Sequence, residues 1–351
     1  MRRLTTLSAT VASVGAVACA ATALMAAPAH AAVLSATAST ISGATMTATV
    51  PVAGSPTGVS PTVYFDDTSR TYYLWPTAMP AVEYSSPDGR TWTPVAGATV
   101  PQGIDWSVVK EGPSSYRLYF ASINPNKPAQ VNCTNMRKEL RYATSSDLVH
   151  WTTQPTVLMD DIGCGVPHVL KTRTGSYLLY WNTISTGHGV HIARSSDGLS
   201  WTTVAGPVNG DSTLVDPSPI EMPDGTFLMV AASSGGPGQA QHLRIGASPD
   251  GITWTIRPTP LYAPTPYSAF DPEVLLVDGQ LRVWFSYAIG SDLMRADAHI
   301  STGDLTLAVG SAGGAASATA AAKGKPCTKK GAKSGVLVCK LSKGKLVWAS
   351  R

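Results

Sequence analysis

Residues 58–307 form short apolar runs separated by turn residues, and no long amphipathic helix pattern interrupts them. Five of the runs are rich in aromatic and aliphatic residues, a composition that favours β-strands. These runs are Tyr72-Tyr73-Leu74-Trp75, Tyr116-Arg117-Leu118-Tyr119-Phe120, Tyr177-Leu178-Leu179-Tyr180-Trp181, Phe227-Leu228-Met229-Val230 and Leu281-Arg282-Val283-Trp284-Phe285. Turn pairs such as Asp224-Gly225 precede some runs and predict a hairpin with an earlier strand. The pattern predicts an all-β protein.

A second recurring segment lies before each of these runs, so that a unit repeats about every fifty to sixty residues. Its five copies are Ser60-Pro61-Thr62-Val63, Asp105-Trp106-Ser107-Val108, Val166-Pro167-His168-Val169, Asp216-Pro217-Ser218-Pro219 and Asp271-Pro272-Glu273-Val274. Four strands per unit and five units predict a five-bladed β-propeller over residues 58–308. The fifth unit ends near Leu307, and we expect a strand from residues 40–57 to complete it and remove a free sheet edge.

The motif Ser-x-Asp-x-x-x-Trp occurs in four of the five units. Its aspartates are Asp88, Asp147, Asp197 and Asp250, each followed four residues later by a tryptophan. An aspartate at a tight turn accepts hydrogen bonds from the turn amides, and the tryptophan fills space between neighbouring sheets. We therefore assign these aspartates to the scaffold and not to chemistry.

The N-terminus has the composition of an export signal. Arg2 and Arg3 precede an apolar run over residues 11–27, and Ala29-His30-Ala31 supplies a small-x-small cleavage sequence. A transmembrane anchor and lipid attachment at Cys19 are the alternatives. No later segment approaches the roughly 20 apolar residues that span a bilayer. We predict a signal peptide at 1–31, an N-terminal segment at 32–57, the propeller at 58–308, a flexible linker at 309–325 and a basic module at 326–351.

Four cysteines remain after the signal, and an even number in an exported chain indicates disulfides. Strand directions place Cys133 and Cys164 at one rim of the propeller, so we predict that they pair, and that Cys327 pairs with Cys339 in a small C-terminal hairpin. This secreted chain is expected to be extracellular or associated with the cell wall.

The charge distribution is asymmetric. Residues 323–351 hold nine of the 26 Lys and Arg and no acid, whereas the part between the signal and the tail has 15 basic and 22 acidic residues. An acidic body of this kind is not typical of nucleic-acid binding. The tail is a candidate for binding an anionic cell-wall polymer, and a solubilising role is an equal alternative.

The first strand of each propeller blade lines the central channel, and positions two apart share a face. The repeat thus predicts one ring of Ser60, Asp105, Val166, Asp216 and Asp271, and a layer beneath it of Thr62, Ser107, His168, Ser218 and Glu273. Carboxylates that crowd at one rim repel one another, and burial raises at least one pKa. Such clusters are enriched at sites of acid–base chemistry or cation binding, although a simple polar channel lining is the alternative.

The turns, the Asp-Pro strand starts and the five units resemble the five-bladed propellers of family 43 glycoside hydrolases and their relatives. This resemblance implies an aspartate base in the first blade, a tuning aspartate in the third and a glutamate acid in the fourth. Here Ser60 and Val166 occupy the first two of these places, but a shift by one blade restores the spacing. The shifted pattern implies that Asp105 is the base, Asp216 tunes the acid, and Glu273 is the acid.

We further assign His168, Asp271, Trp106 and His188 to substrate binding. No cofactor is required by such chemistry, and the channel is a candidate site for Ca²⁺ or another ion, with His168 as a ligand. No metal is assigned to the catalytic residues.

The leading hypothesis is a secreted, monomeric, inverting glycoside hydrolase that acts on a polysaccharide or oligosaccharide. A non-catalytic carbohydrate-binding or cell-surface propeller is the main alternative, and a lytic or transferase reaction on the same fold is a third.

Overall fold

The computed structural model of the protein describes residues 34–49, 55–128, 136–163, 165–183, 188–234, 239–289, 298–308, 333–334, 337–342 and 345–350. The predicted signal peptide and linker lie outside these residues, as do Cys133, Cys164 and Cys327 and the side chain of Cys339. Among the described residues, no helix is long and apolar enough to cross a membrane.

The chain forms five four-stranded antiparallel sheets, which are the blades of a propeller. The first blade consists of β2 (Val59–Asp66), β3 (Thr71–Thr77), β4 (Tyr84–Ser86) and β5 (Thr93–Pro94), and the second of β6 (Ile104–Gly112), β7 (Ser115–Pro128), β8 (Met136–Ser145) and β9 (Thr152–Thr153). The third consists of β10 (Gly165–Lys171), β11 (Tyr177–Thr183), β12 (Gly189–Ser195) and β13 (Thr202–Ala205), and the fourth of β14 (Leu214–Glu221), β15 (Phe227–Ser233), β16 (Leu243–Ser248) and β17 (Thr255–Ile256). The predicted five-bladed β-propeller is confirmed.

The fifth blade joins the two ends of the propeller. It consists of β18 (Tyr267–Val277), β19 (Gln280–Ile289), β20 (His299–Thr306) and the N-terminal strand β1 (Thr45–Thr49). Strand β1 pairs with β20 in antiparallel orientation, with Thr45 opposite Thr306. It follows a short helix, α1 (Ala38–Ser42). The Arg257 guanidinium donates to the carbonyl oxygens of Ile41 and Ala44, which fastens this N-terminal segment to the fourth blade.

The C-terminal residues form a separate sheet. It has three antiparallel strands, β21 (Lys333–Ser334), β22 (Leu337–Ser342) and β23 (Lys345–Ser350), of which the last two form a hairpin.

The hydrophobic core lies between neighbouring blades rather than in one central cluster. Leu74 of the first blade packs with Trp284 of the fifth, and Trp75 on the opposite face packs with Trp106 of the second. Similar clusters join the second blade to the third, the third to the fourth and the fourth to the fifth. Strand β3 thus buries both of its faces, since a neighbouring blade covers each side.

The predicted Asp turns have a structural role. In the third blade, Asp197 Oδ1 accepts hydrogen bonds from the backbone N–H of Leu199 and Ser200, at 2.8 and 2.9 Å. These bonds and one from Ser195 lower the pKa of Asp197 to about 2. The other three aspartates accept equivalent bonds.

The turn tips also connect the blades. An aromatic side chain of one blade donates a hydrogen bond to the turn carbonyl of the next, which leaves no space for a Cβ at the turn glycine. The three connections are Tyr119 to Gly198 at 2.9 Å, Tyr180 to Gly251 at 2.5 Å and Trp284 to Gly89 at 2.7 Å. The fourth Asp turn belongs to the second blade. Where the first blade meets it, Trp75 donates instead to the buried carboxyl group of Glu83, at 2.9 Å.

Candidate active site

Every inner strand has a β-bulge at the same place. In the fourth blade Val215 faces Ala232 and Ser218 faces Val230, so two inner-strand residues occupy the space opposite one residue of β15. The other four blades show the same shift of register. A bulge redirects the side chains of its strand, and bulges are common beside active sites.

The first residue of each bulge has a left-handed backbone. The five residues are Ser60, Asp105, Val166, Asp216 and Asp271, with φ angles of 48°, 55°, 50°, 52° and 46°. They are the same five that the repeat places in one ring, and they are called the ring here. A β-branched residue such as Val166 rarely adopts positive φ, at a cost of about 1–3 kcal/mol. The conformation is therefore imposed by the propeller and not chosen by each side chain.

Asp105 is held by groups from three blades. Its carboxyl group is about 6% exposed, and Oδ1 accepts a long hydrogen bond from the Thr77 hydroxyl at 3.4 Å. Oδ2 accepts from the Val166 backbone N–H at 3.3 Å and lies 3.5 Å from the ammonium nitrogen of Lys138. These contacts fix the orientation of the Asp105 carboxyl group.

Asp216 and Asp271 form a coupled pair of carboxyl groups. The two buried carboxyl groups interact directly, and the raised pKa of each favours a proton on the pair. Burial raises the pKa of Asp216 to about 6. Burial and the nearby Asp216 and Asp105 carboxylates raise the pKa of Asp271 well above its ordinary value. The repulsion predicted from the sequence is therefore relieved by keeping one proton on the pair.

The two ring positions that lack a carboxyl group donate hydrogen bonds to neighbours that have one. The Ser60 hydroxyl donates to Asp271 Oδ2 at 2.8 Å, and its backbone N–H donates to the same oxygen at 3.2 Å. Val166 supplies its N–H to Asp105, as described above. Asn182 of the third blade donates to Asp216 Oδ1 at 2.6 Å and accepts the Asp216 N–H at 3.1 Å. The ring thus contains two polar groups, one around Asp105 and one in which Ser60 and Asn182 donate to Asp271 and Asp216.

The layer beneath the ring has a different role. The Ser107 hydroxyl accepts the Val169 N–H, and the Ser218 hydroxyl accepts the Val274 N–H, both at 2.9 Å between neighbouring blades. Glu273 instead reaches across the channel, where its Oε2 lies 3.4 Å from His168 Nδ1. Both of these side chains line the ring cavity and also the wider cavity that continues down the channel.

The cavity at the ring is narrow. Its volume of about 20 Å³ is sufficient for one water molecule. Trp106 lines it, is 3% exposed, and has an indole N–H without a hydrogen-bond partner among the described residues. A buried donor of this kind favours contact with a ligand or water. His188 lies apart from this cavity on the exposed rim, where its Nδ1–H donates to the Ser212 carbonyl at 2.6 Å.

Below the ring, the wider cavity has a volume of about 340 Å³ and lies among the later residues of the inner strands. Lys171, which lines it, forms an ion pair with Glu111 at 2.7 Å, so Glu111 is engaged away from the ring.

The predicted ion site in the channel has limited support from the side chains. Among the described residues, no three His, Cys, Asp or Glu side chains converge in a way that would hold a metal ion. His168 and Glu273, the channel candidates, contact each other.

Three residues of the site were absent from the sequence-based prediction. Lys138 and Asn182 lie on strands of neighbouring hairpins, and Thr77 ends β3. The sequence contained a signal for two of them. Lys138 lies two positions before the buried Leu140, and Asn182 two positions after the buried Tyr180, so each shares a strand face with a buried apolar residue. A polar residue in the buried phase of a strand indicates a buried partner.

No model of a protein family matches the sequence, and no curated protein matches it. Solved structures do match. A thermostable family-43 glycoside hydrolase has a TM-score of 0.57 and 16% identity, over 75% of this chain and 96% of that one. An endo-arabinase from Bacteroides thetaiotaomicron has a TM-score of 0.53 and 14% identity, over 74% and 97%. A xylan β-1,4-xylosidase from Bacillus halodurans has a TM-score of 0.54 and 12% identity, over 73% of this chain but only 56% of its own. The chain has the five-bladed propeller fold found in family 43 glycoside hydrolases.

Proposed function

We propose that the ring is the active site of a glycoside hydrolase, which cleaves O-glycosyl bonds of a polysaccharide or oligosaccharide. The observation that carries the proposal is the different surroundings of three carboxyl groups in one ring. Asp216 and Asp271 share a proton, whereas Asp105 faces an ammonium group. Hydrolysis of a glycoside needs one carboxylic acid and one carboxylate, and separate environments provide them. The fold shared with family 43 hydrolases supports the same reaction.

In this mechanism Asp271 donates its proton to the leaving glycosidic oxygen. Asp105 accepts a proton from the water that attacks the anomeric carbon, so the proton lost by the acid is balanced by the one taken up by the base. Asp216 stays hydrogen-bonded to Asp271 and sets how firmly the proton is held, while Asn182 fixes the orientation of Asp216. Carboxyl groups and water suffice for this chemistry, and no cofactor is needed.

The acid in this mechanism differs from the residue assigned by the sequence alone. The family resemblance implies Glu273, whereas in the structure Asp271 lies next to Asp216 in the ring and Glu273 lies next to His168 in the layer beneath. Asp271 has the shared proton and the raised pKa that an acid needs. We therefore assign the acid to Asp271 and infer that Glu273 and His168 support the floor of the site.

An inverting reaction is the expected stereochemical course. Asp271 and Asp105 lie on the fifth and second blades, with Ser60 of the first blade between them in the ring. Inversion requires a separation of about 6.5–9.5 Å, which leaves space for water between acid and base. The cavity of about 20 Å³ fits the water and not the sugar, so the sugar is proposed to lie above it, across the channel mouth.

The decisive experiment compares two isosteric changes, Asp271→Asn and Glu273→Gln, on arabinan and xylan oligosaccharides. We expect Asp271→Asn to lower the hydrolysis rate about 10²–10⁴-fold, the usual contribution of a general acid. Glu273→Gln is expected to lower it less than about tenfold. Glycan binding, measured separately by calorimetry, is expected to persist in both variants.

The opposite ranking of the two variants would return the acid role to Glu273. If the wild-type chain binds glycans but hydrolyses none, it is instead the non-catalytic carbohydrate-binding propeller.

Export, monomeric state and wall binding by the basic tail remain proposals that rest on the sequence. The N-terminal signal motif supports export, and N-terminal sequencing of the secreted chain is expected to show cleavage after Ala31. Retention on anionic wall polymer that is lost when residues 326–351 are deleted would support the tail's role.

A further inference from the structure

A buried lysine lies behind the carboxyl group to which the base role is assigned. Lys138 belongs to β8, the third strand of the second blade, and its side chain is about 9% exposed. Its Nζ lies 3.5 Å from Asp105 Oδ2. A lysine this deeply buried is rare unless it is paired, and removing one partner of a buried pair leaves an uncompensated charge.

Gly165 provides the space for this lysine. A Cβ on Gly165 would lie 2.9 Å from both Cδ and Nζ of Lys138 and 3.2 Å from Asp105 Oδ2. The glycine also has a φ of 89°, a conformation that side chains disfavour. The first residue of β10 therefore allows the lysine of one blade to reach the ring.

The position of the cation matters because the ring holds three carboxyl groups and one shared proton. Among the ion pairs of the described residues, only Lys138 pairs with a ring carboxyl group, that of Asp105. The ammonium group is thus within ion-pair distance of Asp105, and its charge also lowers the pKa of Asp216 against the larger effect of burial.

We propose that Lys138 is a positioning residue that keeps Asp105 charged and aimed at the attacking water, with Gly165 as the space-giving residue. This inference rests on the proposed hydrolase function. Lys138 contacts Asp105 and not the reacting atoms, so it acts through the ring carboxyl groups, chiefly through the base that it contacts.

The test is the pH dependence of kcat/KM for wild type, Lys138→Gln and Lys138→Arg. Removing an opposite charge within about 4–6 Å makes a carboxyl group take up its proton about one to three pH units higher. In Lys138→Gln we therefore expect the acidic limb of the profile to move up by that amount, while the rate at high pH recovers toward wild type. Lys138→Arg keeps the charge and is expected to keep the wild-type limb.

The other titratable groups that face Asp105 or line its cavity are the same in all three proteins, but Asp216 also responds to the Lys138 charge, and Lys138→Arg, which keeps that charge, is the control for both groups. The other titratable groups are Asp216, Asp271, His168 and Glu273.

An unchanged acidic limb in an active Lys138→Gln protein overturns the inference and leaves the proposed function standing, because a purely structural lysine would lower the rate equally at every pH. A wild-type chain that hydrolyses no glycan refutes the proposed function and the inference with it. If Lys138→Gln does not fold, the double variant Asp105→Asn/Lys138→Gln decides. Recovery of folding shows that the uncompensated Asp105 charge was the cause, and continued unfolding overturns the inference.

Discussion

The carboxyl group of Glu83 is buried where the first blade meets the second, and it makes stability depend on pH. Its side chain is 1% exposed, and Oε2 accepts the Trp75 indole N–H at 2.9 Å. Oε1 is buried without a hydrogen-bond partner among the described residues. Burial raises the pKa of Glu83 to about 7 from its ordinary value of 4.5.

Because this pKa is higher in the folded protein than in the unfolded chain, the folded state binds the additional proton between pH 4.5 and about 7. The contribution of the protonated Glu83 to the free energy of unfolding is complete below pH 4.5 and is lost as the pH rises through about 7. A gap of about 2.5 pH units at about 1.4 kcal/mol per unit corresponds to roughly 3 kcal/mol.

Glu83→Gln removes the titration and keeps an oxygen acceptor for Trp75. We expect the variant to be close to wild type in free energy of unfolding at pH 4.5 and about 3 kcal/mol more stable at pH 8, by urea denaturation of both proteins at both pH values. All other titrating groups are common to the two proteins, so the difference isolates Glu83. A gap between the proteins that is the same at both pH values would refute the reasoning.

Two further predictions concern the connections between blades. Gly198→Ala is expected to lower the free energy of unfolding by about 2–4 kcal/mol, because a left-handed residue acquires a Cβ 2.5 Å from the Tyr119 hydroxyl. Gly175 has a similar φ and no atom within 4 Å of such a Cβ, so Gly175→Ala is the control and is expected to cost about 1 kcal/mol. Equal urea midpoints for the two variants would contradict this. Tyr180→Phe removes the hydrogen bond to the Gly251 carbonyl and is expected to cost about 1 kcal/mol in the same assay, and an unchanged midpoint would show that the connection contributes nothing.

The repeat was sufficient to predict the fold because it records a physical requirement at every blade. Each turn needs an aspartate to accept hydrogen bonds from its amides and a tryptophan to fill the space between sheets. An aspartate and a tryptophan at the spacing of Asp88 and Trp92 therefore occur again in later turns. The same alignment brought Asp105, Asp216 and Asp271 into one ring. A repeated unit places equivalent residues at equivalent positions, and the closed propeller then brings them together.

The roles within the ring were harder to predict because they depend on contacts between residues far apart in sequence. Alternation along a strand separates Asp271 from Glu273 but does not show that Asp271 contacts Ser60 of the first blade or that Glu273 contacts His168 of the third. A positive φ at Val166 has no local signal, since β-branched residues avoid that conformation. The rest of β8, a turn, β9 and a loop separate Lys138 from Gly165 in sequence, and only the folded propeller shows that one makes space for the other.

The central claim is that the ring hydrolyses glycosidic bonds with Asp271 as the acid and Asp105 as the base. Its most direct test is ¹H NMR of arabinan and xylan oligosaccharides during the first turnovers of the purified wild-type chain, alongside Asp271→Asn. We predict new reducing-end signals of inverted anomeric configuration with wild type and none on that timescale with the variant. No new reducing ends with wild type, or equal release by the variant, would contradict the account.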